Sequence, residues 1–394
     1  MLTIRLPDFT LTAGPTPASP RTLAALGQPL IFDYDPIFLE RFRELERKAA
    51  RLFGTSSDVV LLQGEAVAGL EAVARSLTRP GTRALNLVSG VYAKWFGEWL
   101  RAFGAEVTEI EVPYDQALDP AAVERALSSA DRVDLVSMVH CETPAGILNP
   151  VGEIAPLARA AGALVMADMV SSLGGHPARP DEWGIDIAVA APQKCLAGPP
   201  GMTMLTVSDA AWDAMRANPQ APRHSFLSLL DWKERWIDGG REHFPYTPSV
   251  CDVGGVLAAC DEVLEEGIDA VIARHERAAR ATRAGVMGLG LSLWPSTESI
   301  AANCVTAVRL PSGIDGARLL ALVRERYGVM LSAGYGELAD KLVRLGHMGP
   351  NASAMHPVVA VAALGRGLAD LGHPVSIGAG VEAALAVAGE AWDR

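Results

Sequence analysis

Basic charge is scarce in this 394-residue chain: 34 Lys plus Arg stand against 46 Asp plus Glu, a formal net charge of −12. A nucleic-acid backbone would meet net repulsion, and no local basic stripe offsets it. Cysteine is sparse as well. The five thiols (Cys141, Cys195, Cys251, Cys260 and Cys304) are odd in number, widely spaced and free of any C-x-x-C pair. That pattern argues against a disulfide framework or a structural zinc site and fits a reducing compartment. The eight histidines contain no i, i+4 pair and no H-E-x-x-H, so no metal site is expected. No apolar run approaches the roughly 18 residues of a membrane helix, and the opening MLTIRLPDFTLTAGP has no apolar signal core. Internal repeats and low-complexity tracts are lacking too. The expectation is a cytoplasmic protein without membrane or nucleic-acid partners.

What is present is ordinary globular material. Apolar residues make up 49% and charged residues 20%, and the length allows two or three domains around a large core. From Ala50 to about Val207, short apolar runs alternate with amphipathic stretches, which predicts an α/β fold with a mostly parallel, doubly wound sheet. The predicted strands are Val59–Gln63, Arg83–Leu87, Glu106–Glu111, Val133–Val139, Ala163–Ala167, Ile185–Ala190 and Met202–Val207. Predicted helices include Gly69–Leu77, Lys94–Ala102, Pro120–Ser128 and Pro150–Ala161. The stretch Trp212–Pro248, rich in proline and aromatics, reads as an irregular connector at a site mouth or a subunit contact. A long helical pattern, Val253–Leu289, then leads to a smaller α/β region that ends in Glu382–Trp392. The expected division is an N-terminal segment at 1–19, a large ligand-binding domain at 20–255 and a small domain at 256–394.

Two consecutive strands deliver reactive groups to one end of this sheet. Asp168 follows Ala163–Ala167, and Pro192-Gln193-Lys194 follows Ile185–Ala190. In open parallel sheets the crevice outside the strands' carboxyl ends is where ligands bind. A solvated acid and lysine at loop ends are the plain alternative. The setting of Lys194 among Pro192, Gly198, Pro199, Pro200 and Gly201 is unlike an exposed helix face. A desolvated lysine acts as nucleophile and base, and an acid opposite a protonated pyridine nitrogen lets that ring withdraw electrons. Lys194 and Asp168 together point to pyridoxal-type chemistry.

At this point the chain resembles the class V aminotransferases of fold type I. The resemblance rests on Thr12-Ala13-Gly14-Pro15-Thr16-Pro17, His140-Cys141-Glu142-Thr143-Pro144-Ala145-Gly146, Asp168-Met169-Val170-Ser171-Ser172, the Lys194 segment, Tyr246-Thr247-Pro248 and Val343-Arg344-Leu345-Gly346-His347. It implies a homodimer or homotetramer, and by position it implies roles. Lys194 forms the Schiff base and Asp168 holds the ring nitrogen. Tyr92 and Val170 cover the two ring faces, Thr143 contacts the phenolic oxygen, and Gln193 lies beside the vitamer. Thr247 reaches the site of the partner chain, and Arg344 grips the amino acid's carboxylate, for which a planar guanidinium is suited.

One departure sharpens the expectation. The loop Gln63-Gly64-Glu65-Ala66 carries a carboxylate where phosphate-binding members of the family carry small hydroxyl residues or histidine at a helix start. Glu65 would repel a phosphate dianion and accept a hydrogen bond from a neutral hydroxymethyl group; the plain alternative is a helix-start glutamate stabilised by the helix dipole. With Gly346-His347-Met348-Gly349-Pro350, Asp33-Tyr34-Asp35-Pro36 and Ala221-Pro222-Arg223, the resemblance narrows to members whose unphosphorylated vitamer is itself a substrate. It implies reversible amino exchange between pyridoxamine and pyruvate, giving pyridoxal and L-alanine, with no tightly bound cofactor. A second departure is Tyr335, which stands where those members carry a carboxylate-binding arginine and leaves the amino-acid partner open. The alternatives are a conventional pyridoxal-phosphate enzyme of the alanine– or serine–glyoxylate kind, a β-lyase or desulfurase using Cys195, and a non-catalytic vitamer-binding protein.

Overall fold

The structure is a computed structural model and describes residues 6–390. Seven strands make the central sheet: β1 (Asp58–Gln63), β2 (Arg83–Val88), β3 (Glu106–Glu111), β4 (Leu135–Val139), β5 (Leu164–Asp168), β6 (Ile187–Ala190) and β7 (Met202–Val207). Their spatial order is β1-β7-β6-β5-β4-β2-β3. Only β7 runs against its neighbours. The central strands are buried along their whole length because helices cover both faces, which is why they read as continuous apolar runs. Asp168 is the last residue of its strand rather than the first beyond it.

Two helices frame the carboxyl end of the sheet. Helix α1 (Ala66–Leu77) starts three residues before its predicted beginning because Glu65 caps it: the carboxylate accepts from Val67 N. Helix α2 (Val91–Ala102) starts against Glu142, whose carboxyl oxygens accept from Tyr92 N at 2.9 Å and Ala93 N at 3.3 Å. That carboxyl is fully buried, and burial pushes its pKa up to about 8. A Cβ at Gly90 would stand 2.1 Å from Glu142 Cγ, so this contact between strand and helix needs glycine.

Two expectations are corrected. The predicted helix Val253–Leu289 is two helices, α3 (Val250–Glu266) and α4 (Ile268–Gly288), broken at Gly267 with φ +92. Helical periodicity continues across the break, so apolar spacing hides it; a left-handed glycine allows the turn. The stretch Trp212–Pro248, expected as an irregular connector at a site mouth or a subunit contact, is irregular only in part and sends its largest rings into the core. Trp212 lies on the helix Asp209–Ala217, Trp232–Ile237 form a π-helical turn, and Trp212, Trp232, Trp236 and Phe244 are buried in the main core. Trp236 stacks on Phe244 at 4.3 Å and meets Phe42 edge-on at 5.0 Å. Pairs of this kind add about 0.5–1.5 kcal/mol each beyond area burial. Their indole N–H groups are satisfied by Glu46, Asp58 and Tyr246.

A second core gathers Leu11 with residues from Val286 to Ala384. It packs on a small antiparallel sheet of β8 (Val305–Arg309), β9 (Ser332–Ala333) and β10 (Leu342–Gly346), in the order β8-β10-β9. The N-terminal segment joins it: Phe9 and Thr10 pair with Val329 and Met330, and Gly346 N donates to Leu11 O. The last described helix is Ile377–Gly389; Trp392, at the end of the predicted Glu382–Trp392 helix, lies outside the described residues. No described helix is long and apolar enough to cross a membrane.

Candidate active site

A cavity of about 260 Å³ opens between the carboxyl ends of β5 and β6 and helices α1 and α2. It lies just below the usual small-ligand range of about 300–1,000 Å³, room for one small aromatic ring and a short acid. Lys194, Asp168, Val170, Tyr92, Glu65 and Tyr335 all line it. Sequence positions as far apart as Glu65 and Tyr335 therefore meet at one place.

Lys194 sits at its floor. Its Nζ donates to the Ala13 carbonyl oxygen at 3.0 Å. A Cβ at Gly14, where φ is +94, would stand 2.5–2.9 Å from Lys194 Cδ, Nζ and Cε, so the N-terminal segment approaches the lysine as closely as glycine allows. Burial lowers the Lys194 pKa, and the positive charge of Arg344 adds to the effect. Both causes favour the neutral, nucleophilic amine.

Asp168 accepts from Val170 N at 2.8 Å and is pushed up to about 6 by burial; that backbone bond and the charge of Lys194 oppose the shift. A buried carboxyl of this kind becomes a carboxylate when a cationic N–H is brought to it. Val170 is 8% exposed and Tyr92 stands across the cavity, its hydroxyl held protonated by a pKa pushed up to about 12 through burial.

Glu65 does two things at once. One oxygen accepts from Val67 N at 2.9 Å at the start of α1, and the other accepts from Gln193 Nε2 at 2.8 Å. The helix-cap alternative is therefore present in the structure together with the position in the cavity. Because a carboxylate can only accept, the Gln193 amide nitrogen must face it, and Gln193 Oε1 is left buried without a partner. A buried acceptor without a donor is a place for a ligand O–H.

Thr143 and Arg344 stand one layer back. The Thr143 hydroxyl donates to Ser171 Oγ, and Ser171 lines the cavity. Arg344, on β10, donates from Nε to Ala333 O at 2.7 Å and from Nη1 to Thr143 O at 3.4 Å. Its burial lowers its pKa, yet a guanidinium stays charged at neutral pH. Thr247 is exposed on this chain and does not line the cavity. Among the described residues no group of three or more His, Cys, Asp and Glu could hold a metal.

The sequence reading left out Ser171, Cys141, Leu70, Val67, Trp95 and Trp99, which also line the cavity. The helical spacing Tyr92, Trp95, Trp99 (i, i+3, i+7) puts those rings on one face of α2, and that signal was available once Tyr92 had been singled out.

The donor set fits a vitamin B6 ring: a desolvated lysine for its aldehyde carbon, a buried carboxyl for its nitrogen, and Val170 and Tyr92 for its faces. Comparison with known proteins agrees. The family model for class V aminotransferases matches residues 33–342. The chain is 46% identical over 381 residues, 97% of its own length and 96% of the other's, to the pyridoxamine–pyruvate transaminase of Mesorhizobium japonicum. It is 31% identical to the L-aspartate–glyoxylate aminotransferase of Paracoccus denitrificans, over 94% of this chain and 93% of that one. The solved structure of pyridoxamine–pyruvate aminotransferase from Mesorhizobium loti superposes with a TM-score of 0.96 at 45% identity, covering 99% of both chains.

Proposed function

The chain belongs to the class V aminotransferases, a family that generally uses pyridoxal phosphate, and from that premise we propose that its substrate is the unphosphorylated vitamer. In this reading the enzyme exchanges an amino group between pyridoxamine and a 2-oxo acid such as pyruvate, giving pyridoxal and L-alanine, reversibly. The single observation that carries the choice of vitamer is Glu65. It occupies the N–H of Val67 at the start of α1 and the side-chain amide of Gln193, two donors that a phosphate at this helix start would need. A hydroxymethyl group instead donates to Gln193 Oε1 or to Glu65.

The bound B6 ring supplies an electron sink conjugated to the reacting carbon. The chain does the rest. Asp168 holds the proton on the ring nitrogen, and Val170 and Tyr92 fix the ring's tilt. Lys194 Nζ, released from Ala13 O, carries the proton between the two carbons that exchange hydrogen, as a neutral amine in a dry pocket can. Arg344, held by two carbonyls, presents its remaining N–H edge to the substrate carboxylate. Thr143 positions Ser171 and Arg344 together. The exposure of Thr247 fits a role at the site of a second chain in a homodimer or homotetramer. Five free thiols, four of them buried, fit a cytoplasmic protein.

The test is a visible absorbance titration of dialysed protein with pyridoxal and with pyridoxal phosphate, L-alanine being added to each. An absorption band that forms with pyridoxal and is discharged by L-alanine with release of pyridoxamine is the expected result. Protein that arrives with retained pyridoxal phosphate and ignores pyridoxal would refute the reading in favour of the conventional phosphate-dependent one.

A further inference from the structure

One polar atom of the vitamer has no partner among the groups assigned so far. In pyridoxamine the ring carbon that bears the aminomethyl group stands opposite the ring nitrogen, and the phenolic oxygen and the hydroxymethyl group flank that carbon on its two sides. Lys194 and Asp168 therefore serve the two ends of the ring, and Glu65 with Gln193 serves one edge. The other edge carries the phenolic oxygen, which is negatively charged beside a protonated ring nitrogen. An anionic oxygen taken out of water needs a hydrogen-bond donor.

The Thr143 hydroxyl is already spent. Thr143 is fully buried and does not line the cavity. Its one hydrogen goes to Ser171 Oγ, and the other acceptor within its reach, Cys141 O at 3.4 Å, also belongs to the protein. Ser171 does line the cavity. A hydroxyl has one hydrogen to give and two sites at which to accept. Ser171 Oγ accepts from Thr143, and among the described residues nothing takes up its own hydrogen. Accepting one hydrogen bond polarises the Ser171 O–H and makes it a stronger donor.

The backbone of Ser171 is fixed from behind. It stands three residues after Asp168, on a turn in which Ser172 N donates to Met169 O at 3.1 Å. Its carbonyl accepts from Cys304 Sγ at 2.8 Å and from Cys195 Sγ at 3.4 Å, and Cys195 directly follows Lys194. A Cβ at Gly175 would stand 2.8 Å from both sulfurs, so the two thiols fill the space behind the turn. Of the other hydroxyls in the lining, Tyr92 covers a ring face, and Tyr335 is brought in from the small sheet and packs on Trp95 at 5.4 Å.

We propose that the Ser171 hydroxyl donates to the phenolic oxygen of the vitamer, with Thr143 and Cys304 as positioning residues behind it. The contact that the Thr143 motif implies is thereby moved onto the neighbouring side chain. This inference rests on the vitamer binding proposed above and adds a binding residue to the same site.

The experiment measures dissociation constants of wild type, Ser171→Ala and Thr143→Val for pyridoxamine and for 3-deoxypyridoxamine, which lacks only the phenolic oxygen. Quenching of tryptophan fluorescence gives the readout, since Trp95 and Trp99 line the cavity. The phosphate esters of both compounds are titrated in parallel. Ser171→Ala is expected to weaken pyridoxamine by about tenfold or more, the loss of a hydrogen bond to a charged oxygen, and to change 3-deoxypyridoxamine by about twofold or less. Thr143→Val is expected to weaken pyridoxamine by a smaller factor and again to spare 3-deoxypyridoxamine. A merely structural role for Ser171 would weaken both compounds alike. That result, or Ser171→Ala protein that binds pyridoxamine as wild type does, overturns the proposal, and a loss confined to Thr143→Val would return the contact to Thr143. Wild type that binds only the phosphate esters would refute the choice of vitamer, and the same comparison made with the esters would then decide the role of Ser171. Binding of none of the four compounds overturns both.

Discussion

Replacing Glu65 with serine should convert a site that excludes phosphate into one that admits it. In Glu65→Ser the helix keeps its cap, because a serine hydroxyl accepts from the N–H two residues on about as well as a carboxylate does. The Gln193 amide, now bound to Glu65 at 2.8 Å, is freed as a donor, and the negative charge is gone. Glu65 is exposed, so its repulsion of a bound phosphate is screened nearly as in water. At about 4 Å two unit charges then interact by about 1 kcal/mol, and a dianion by about 2 kcal/mol. That corresponds to about 30-fold in dissociation constant. The assay is equilibrium titration of dialysed wild type and Glu65→Ser with pyridoxal and pyridoxal phosphate, read by absorbance. The ratio of the two dissociation constants should shift toward the phosphate by about 30-fold, with pyridoxal affinity falling as Glu65 is lost as an acceptor. A wild type that already binds the phosphate as tightly as pyridoxal, or a ratio unchanged by the substitution, would refute the role given to Glu65.

Asp168→Asn tests the buried carboxyl. Burial raises its pKa from 3.8 to about 6, so the ligand-free fold favours the neutral acid. The corresponding stability is fully present below pH 3.8 and lost as pH rises through 6, on the order of 3 kcal/mol in all. Thermal melts of the ligand-free variant should therefore gain on wild type at pH 8 and not at pH 4, while transamination falls by several orders of magnitude; equal melting shifts at both pH values would contradict the burial argument. Gly14→Ala sets a Cβ 2.5 Å from Lys194 Cδ and should abolish the absorption band formed with pyridoxal; a full-strength band would show that the lysine does not need this path. Gly90→Ala drives a methyl into Glu142 at 2.1 Å and should cost about 1–3 kcal/mol, the usual penalty of overpacking, seen as a lower denaturant midpoint. An unchanged midpoint would mean that α2 can shift without cost.

The central strands were legible because they are buried on both faces and appear as nearly unbroken apolar runs, and the edge strand Glu106–Glu111 because it alternates Val107 and charged residues along a half-exposed face. Glu106–Glu111 and Met202–Val207 have their predicted bounds. Helices α1 and α2 were legible except at their starts: α1 is begun by its own cap, Glu65, an uncommon capping residue, and α2 by a tertiary partner, Glu142. The failures have the same origin. Nothing local distinguishes Gly267, with its left-handed backbone, from a glycine tolerated inside a helix. The prolines Pro219, Pro222, Pro245 and Pro248 correctly announce irregular backbone, but backbone irregularity says nothing about depth. Trp232, Trp236 and Phe244 are buried because Phe38 and Phe42, some 200 residues earlier in the chain, lie against them.

At the site, the residues that could be read were those that a strand end delivers. Asp168 and Lys194 need only the sheet's direction to be placed in the same crevice. Thr143 shows what that reasoning omits. Its motif assigns it a direct contact with the ring, yet its hydroxyl is committed to Ser171 and its carbonyl accepts from Arg344. Its side chain therefore acts on the cavity through Ser171, and its backbone acts on the guanidinium. Arg344 is itself fixed by Ala333 on the neighbouring strand of the small sheet, two residues before Tyr335. Arg344 on β10, proposed to hold the substrate's carboxylate, and Tyr335 are thus both positioned by one short piece of β9 and its turn. The fully buried Thr143 ties that piece to the floor beside Asp168. Placement of the acid and placement of the vitamer ring are consequently not independent: a substitution in the Ser332–Gly336 turn should be felt at both, and no spacing in the sequence reveals that connection.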